Sequence, residues 1–126
     1  MRKADTDSGV FRASLHELTT MVVYEAARSF ATEKYPIDTP VAATGGIRLA
    51  NPPLIVPVLR AGLGMADTAH GMLPESQMGF VGLARNEQTF QPKAYMASLP
   101  ESLVGRHVFV LDPMLATGGS LVHCCT

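Results

Sequence analysis

A strand-like segment followed by an acidic residue and a loop of small residues is the part of this sequence best suited to chemistry. Residues 107–111 are mostly apolar and partly β-branched, as a strand covered on both faces requires. Asp112 comes next, at the strand end where open α/β sheets bind their ligands. Residues 117–120 read Thr-Gly-Gly-Ser, which can offer backbone N–H groups and two hydroxyls to a phosphate at the start of a predicted helix. The segment predicts a site for a phosphorylated sugar; the alternative is a turn of small residues required by sterics alone.

A second predicted strand, Leu54–Leu59, leads into a loop that begins with an arginine. Arg60 presents a planar guanidinium suited to bidentate contact with a phosphate, and glycines follow it before a helix predicted through Met72. A surface salt bridge is the alternative role for this arginine. Because proline lacks a backbone N–H group, we also expect a local irregularity at Pro57 within the strand.

A third segment combines an arginine with a predicted β-arm. Two extended segments, residues 77–83 and 93–99, are predicted because the residues between Arg85 and Pro92 are polar and turn-forming. An arm of this kind can close over a charged substrate. Taken alone, Arg85 is typical of a solvated loop arginine and Lys93 of a surface cation.

Nine consecutive residues after the strand at 107–111 resemble the motif by which phosphoribosyltransferases bind 5-phosphoribosyl pyrophosphate (PRPP): Asp112, Pro113, Met114, Leu115, Ala116, Thr117, Gly118, Gly119 and Ser120. Many members of that superfamily carry two adjacent acidic residues at the strand end, whereas proline follows the aspartate here. The Asp-Pro pair and the segments around Arg60 and Arg85 resemble the corresponding motifs of the uracil phosphoribosyltransferase family. The resemblance covers nearly the whole chain.

The resemblance implies a role for each of these residues. Asp112 accepts hydrogen bonds from the ribose hydroxyls of PRPP, and the loop from Pro113 to Ser120 holds the 5′-phosphate. Arg60 and Arg85 contact the pyrophosphate, so that Arg60, Arg85 and Asp112 are the expected catalytic residues. Mg²⁺ is the expected cofactor, bound mainly through PRPP rather than by protein ligands. The reaction implied is transfer of the phosphoribosyl group to uracil, which yields UMP and pyrophosphate in pyrimidine salvage.

The resemblance also implies the architecture. We expect one α/β domain over residues 1–126, with an open, mainly parallel sheet flanked by helices and carrying a β-arm, incomplete at the C-terminus. On this interpretation the chain keeps the half of the site that binds PRPP and lacks the segment that binds uracil. Residues 1–126 alone should therefore bind PRPP weakly or not at all and should form no UMP. In the intact family a homo-oligomer and GTP as an effector are expected.

Composition and charge argue against several other classes of protein. Lysine and arginine number 10 against 11 acidic residues, with no polybasic run, which argues against a nucleic-acid or membrane surface. Without a long apolar stretch or a signal-peptide pattern at the N-terminus, a cytoplasmic location is expected. Cys124 and Cys125 are adjacent in the sequence, so a disulfide between them could not cross-link distant parts of the chain. Together with His123 they resemble a metal-binding motif only weakly.

Two further elements are predicted before the first central strand. Apolar residues recur at steps of three and four over residues 11–30, which indicates an amphipathic helix with its start near Ser8 and Gly9. Glu25 and Arg28 are spaced to pair on its surface. Residues 35–49 are predicted to form two short strands that turn at Gly45 and Gly46.

Two other functions stay open at this point. One is a regulator of the same fold that senses PRPP or UMP, which would typically carry a basic face for RNA that the near-neutral charge does not indicate. The other is an inactive remnant, which would expose a sheet edge and be poorly soluble.

Overall fold

In the computed structural model of the protein, which describes residues 3–85 and 92–126, the first element is the helix α1 (Ser8–Ala27). Asp7 caps it, because its Oδ1 accepts hydrogen bonds from the N–H groups of Gly9 at 2.7 Å and Val10 at 3.4 Å. The helix therefore starts where the sequence predicts and ends three residues before the predicted end at residue 30. The expected surface pair is present, with Arg28 Nη1 at 3.3 Å from Glu25 Oε1.

The strands β1 (Thr32–Asp38) and β2 (Ala43–Leu49) form a separate antiparallel hairpin. The prediction that this hairpin turns at Gly45 and Gly46 is wrong, because both glycines lie within β2, opposite β1. The turn occupies residues 39–42, where the Thr39 hydroxyl donates to the Ala42 carbonyl at 2.7 Å and accepts from its N–H at 3.1 Å.

The central sheet contains β3 (Leu54–Leu59), β4 (Gln77–Met78), β5 (Phe80–Arg85), β6 (Pro92–Ser98) and β7 (Val108–Leu111). Strand β3 pairs in parallel with β7 on one side and with β4 and β5 on the other, while β6 runs antiparallel along β5. The helices α2 (Leu63–Met72) and α3 (Gly119–Cys125) follow β3 and β7. The mainly parallel sheet, its flanking helices and the two extended strands of the arm are thus confirmed, whereas the predicted turn of the arm lies outside the described residues.

Pro57 leaves β3 continuous, and the irregularity expected there is found in the neighbouring strand. Pairing of β3 with β7 runs without a break through Pro57 opposite Leu111. On the other side the ladder stops at Ile55 opposite Met78 and resumes at Val58 opposite Val81. Because backbone groups alternate in direction along a strand, and the Ile55 carbonyl accepts from Gly79 N–H at 2.9 Å, the missing donor of Pro57 faces this interrupted side.

Apolar residues are buried on both faces of the sheet. On one face Val23 of α1 and Ala69 of α2 pack with Ile55 and Leu111. On the other face Leu54, Val56 and Val81 are buried, and Cys124 of α3 packs against them. Strand β3 is covered by helices on both faces. Its sequence is therefore a nearly continuous apolar run, which is the pattern of a buried parallel strand. Within the described residues, no helix is long and apolar enough to cross a membrane.

Candidate active site

A cleft of about 290 Å³ opens at the carboxyl ends of β3 and β7. Because the two strands are parallel neighbours, the loops that follow them leave the sheet at the same edge. Its lining residues come mainly from these two loops: Val58, Leu59, Arg60, Ala61, Leu83, Asp112, Met114, Leu115, Ala116, Thr117, Gly118, Gly119, Ser120 and Leu121. The segments around Arg60 and Asp112, which lie some fifty residues apart in the sequence, therefore share one site.

The loop after β7 forms one wall of the cleft and contains its carboxylate. Asp112 is partly buried, and its Oδ1 accepts a hydrogen bond from Met114 N–H at 3.3 Å, so the side chain folds back over its own loop. Further along, the Thr117 hydroxyl accepts from Gly119 N–H at 3.4 Å. Gly118 has a φ of 78°, the left-handed conformation that favours glycine, and α3 begins directly after it. The wall combines a carboxylate, two hydroxyls and loop amides, which is a set of groups suited to a phosphorylated sugar.

The loop after β3 forms the facing wall and contains the cation. Arg60 is exposed and lies in the middle of a tight turn in which Gly62 N–H donates to the Val58 carbonyl at 2.8 Å. The Leu59–Arg60 peptide bond is cis. Among residues 3–85 and 92–126 the ion pairs are Glu25–Arg28 and Glu33–Arg48, so the surface salt bridge considered for Arg60 is not found there.

The structure brings most of the predicted site residues together, with two exceptions. Arg60, Asp112 and the loop residues from Met114 to Ser120 all line the cleft, whereas Pro113 lies in the same loop without lining it. Arg85 is the last residue of β5, and its side chain falls outside the part that the structure describes. The roles assigned to these residues stay predictions.

Sequence reasoning missed the apolar part of the cleft. Val58 and Leu59 from the end of β3, Leu83 from β5 and Leu121 from α3 contribute to its walls. The sequence carries no signal that sets Leu83 apart, because an apolar residue on a strand has the same pattern whether it packs in the core or lines a cleft. No group of three or more metal-ligating side chains occurs in the described part of the chain, and this includes the region of His123, Cys124 and Cys125.

The sequence profile of the uracil phosphoribosyltransferase family matches residues 1–126, which is the full length of the chain. The chain belongs to this family. Among curated members it is 56% identical over 123 residues to the uracil phosphoribosyltransferase of Corynebacterium diphtheriae and 52% identical to that of Corynebacterium efficiens. Each of these alignments covers 98% of the chain and 58% of the relative, so the chain spans just under three fifths of the length of these family members.

Solved structures give the same relationship at the level of the fold. The AQ2163 protein from Aquifex aeolicus superimposes with a TM-score of 0.87 at 38% identity, covering 98% of this chain and 60% of that one. A purine phosphoribosyltransferase from Pyrococcus horikoshii shares the fold with a TM-score of 0.61 at 15% identity, over 89% of this chain and 61% of that one. The phosphoribosyltransferase fold expected from the sequence is confirmed.

Proposed function

We propose that the cleft binds PRPP and that the protein transfers its phosphoribosyl group to uracil, forming UMP and pyrophosphate. The main observation behind this proposal is that Arg60, Asp112 and the Thr-Gly-Gly-Ser loop line the same cleft. Membership of the uracil phosphoribosyltransferase family supports uracil as the acceptor.

The phosphate end of the ligand is assigned to the loop after β7. Thr117 and Ser120 supply hydroxyl groups, and the absence of side chains at Gly118 and Gly119 lets a phosphate approach the backbone of this loop closely. Among the described residues, a Cβ at residue 118 would have Leu115 Cδ1 as its one neighbour within 4 Å, at 3.8 Å, so the approach on this side is open. A 5′-phosphate fits this combination of amides and hydroxyls.

The ribose and the pyrophosphate are assigned to the charged residues. Asp112 can accept hydrogen bonds from both ribose hydroxyls, since an ionised carboxylate has more acceptor positions than the single Met114 N–H group uses. Arg60 donates to pyrophosphate oxygens through its planar fork. We assign Arg85 to the pyrophosphate as well, on its family motif and its position at the end of β5.

Mg²⁺ fits this site as an ion that arrives with the substrate. Asp112 is the one carboxylate among the described lining residues, and Mg²⁺ is commonly held by one or two carboxylates together with substrate phosphates. When bound, the ion supplies positive charge that offsets the charge of the pyrophosphate.

The chemistry that follows from this arrangement is positioning combined with charge stabilisation. As the bond between C1 of the ribose and pyrophosphate breaks, positive charge develops on the sugar and negative charge on the leaving group. Arg60 stabilises the leaving group, while Asp112 holds the sugar in line with the incoming N1 of uracil. The lining residues that the structure describes include no histidine or second carboxylate that could act as a general base, and the acidic N–H of uracil makes a strong base less necessary.

Family resemblance alone supports the remaining proposals for the whole protein. These are a role in pyrimidine salvage, a cytoplasmic location, a homo-oligomeric assembly and GTP as an effector. We place uracil recognition in the part of the family sequence that lies outside the aligned region, because every described polar or charged lining side chain is already assigned to PRPP.

Two separate measurements test the proposal, both on an extended protein in which a family C-terminal segment follows Ser120 in frame. Calorimetric titration with PRPP and Mg²⁺ should show saturable binding, and ribose 5-phosphate should compete for the same site with lower affinity because it lacks the pyrophosphate. Formation of labelled UMP from labelled uracil at saturating PRPP tests the reaction itself. Absence of PRPP binding would refute the site assignment, whereas binding without uracil-dependent turnover would favour a regulator that senses PRPP.

A further inference from the structure

Gly62 occupies the tightest backbone position next to the cleft. It is buried at the start of α2, and its N–H group donates to the Val58 carbonyl at 2.8 Å. A Cβ atom at this residue would collide with the carbonyl oxygen of Leu111 and would lie 2.6 Å from Val58 N and 2.8 Å from Val58 O. Each of these distances is below the closest approach that a real side chain accepts.

The three neighbouring atoms belong to the two strand ends that position the site. Val58 lies two residues before Arg60 at the end of β3, and Leu111 directly precedes Asp112 at the end of β7. Since all three are backbone atoms of paired strands, no side-chain rotation can make room for a methyl group. A methyl group at residue 62 must therefore move the Arg60 loop away from the strand ends or separate the strands themselves.

Two other glycines of the same helix lack this property. Within residues 3–85 and 92–126, a Cβ atom at Gly64 would meet only the end of the flexible Leu15 side chain, at 2.9 Å, and one at Gly71 would meet nothing within 4 Å. The restriction at Gly62 is thus specific to the junction between the two walls of the cleft. Gly64 and Gly71 provide matched controls within one helix.

We propose that Gly62 is a positioning residue that sets the separation between Arg60 and Asp112, and so the ability of the cleft to hold both ends of PRPP. This inference rests on the proposed PRPP function. Its consequence is selective, because ribose 5-phosphate needs only the wall that follows β7, whereas PRPP needs both walls. Displacing one wall should therefore weaken PRPP binding much more than ribose 5-phosphate binding.

The test compares Gly62→Ala with Gly64→Ala and Gly71→Ala in the extended protein used to test the proposed function. We expect Gly62→Ala to lose at least about tenfold in affinity for PRPP while its affinity for ribose 5-phosphate changes by less than about threefold. Both control variants should bind both ligands like the wild type, even where Gly64→Ala lowers the melting temperature. In an Arg60→Ala background, adding Gly62→Ala should cause no further loss of PRPP affinity, because the arginine that it positions is already gone.

The results distinguish failure of the proposed PRPP function from failure of the positioning role of Gly62. Wild-type protein that binds no PRPP would overturn the proposed function, and this inference with it. Wild-type protein that binds PRPP, with Gly62→Ala binding it equally well or losing both ligands to the same extent, would overturn the positioning role alone. If Gly62→Ala shows no cooperative thermal transition, a glycine inserted between Ala61 and Gly62 replaces it, since the longer turn no longer holds Arg60 against the strand ends. The insertion variant should show the same selective loss, and wild-type affinity for PRPP in that variant would overturn the proposal.

Discussion

Asp112 shows how a single residue can serve both the loop and the ligand. Its Oδ1 accepts the Met114 N–H group at 3.3 Å, which orders the first part of the loop. Asparagine keeps an oxygen that can accept this hydrogen bond but removes the negative charge and half of the acceptor capacity. We expect Asp112→Asn to weaken PRPP binding by about 1.5–3 kcal/mol, the usual contribution of hydrogen bonds to a charged group.

Calorimetric titration with PRPP and Mg²⁺ measures this effect, with the melting temperature of each variant as a control. An unchanged melting temperature together with weaker binding would assign the effect to the ligand rather than to the loop. Equal affinities of the wild type and Asp112→Asn would remove this carboxylate from the site.

Arg60 tests the assignment of the pyrophosphate at the residue scale. Replacing it by alanine should weaken PRPP binding far more than ribose 5-phosphate binding, because only PRPP carries the group that the guanidinium contacts. Lysine should restore the affinity only in part, since a point charge lacks the planar fork. The same comparison with Arg85→Ala tests the second proposed arginine. Equal weakening of both ligands in either alanine variant would show that the arginine does not select the pyrophosphate.

Gly118 and Gly119 are adjacent, and their backbone conformations predict different costs. Gly118 has a φ of 78°, so alanine there should cost about 1–2 kcal/mol of stability through backbone strain. Gly119 begins α3, and a Cβ atom there would make only an ordinary contact with Thr117 Oγ1 at 3.6 Å. Urea denaturation of the two alanine variants measures the difference. A Gly119→Ala variant that is destabilised as strongly as Gly118→Ala would show that strain at residue 118 is not the cause.

Helices and strands could be predicted from the sequence where a single local pattern determines the structure of the segment. Continuous apolar runs such as Leu54–Leu59 predicted the buried strands, and small polar residues after them predicted the loops. The hairpin turn was misplaced because two adjacent glycines are a stronger sequence signal than Thr39, whose side chain makes the observed turn. The position of the break opposite Pro57 was not predictable, since it depends on which neighbouring strand faces the missing N–H group.

Helix α3 places its two adjacent cysteines in different environments. Cys124 packs on the sheet, and burial, with a smaller contribution from the neighbouring Cys125, raises the pKa of its thiol. Cys125 is exposed. Because a raised pKa lowers the thiolate fraction at a given pH, iodoacetamide at pH 8 should modify Cys125 before Cys124. Peptide mass spectrometry resolves the order of modification, and in concentrated urea the two rates should converge. Faster modification of Cys124 in the native protein would contradict the packing of α3 on the sheet.

For the whole molecule, the site depends on the order of strands rather than on any one motif. The sequence identified the Arg60 and Asp112 segments separately, and family resemblance linked them. Their placement in one cleft follows from the parallel pairing of β3 with β7, because parallel neighbours deliver both loops to the same edge. Apolar lining residues such as Leu83 escaped prediction, since an apolar side chain on a strand has the same sequence signature whether it packs in the core or faces a cleft.

The stability of the whole molecule should depend on β3, which is buried on both faces, and little on the exposed hairpin. Ile55 of β3 has 0% of its surface exposed, whereas Ile47 of β2 is 69% exposed. We expect Ile55→Ala to lower the free energy of unfolding by about 2–5 kcal/mol, through lost burial and the cavity that remains. The same substitution at Ile47 should change it by less than about 0.5 kcal/mol. Urea denaturation followed by circular dichroism measures both variants. If Ile47→Ala is as destabilising as Ile55→Ala, the hairpin must be packed against another surface in solution, and the central sheet would not be the main source of stability.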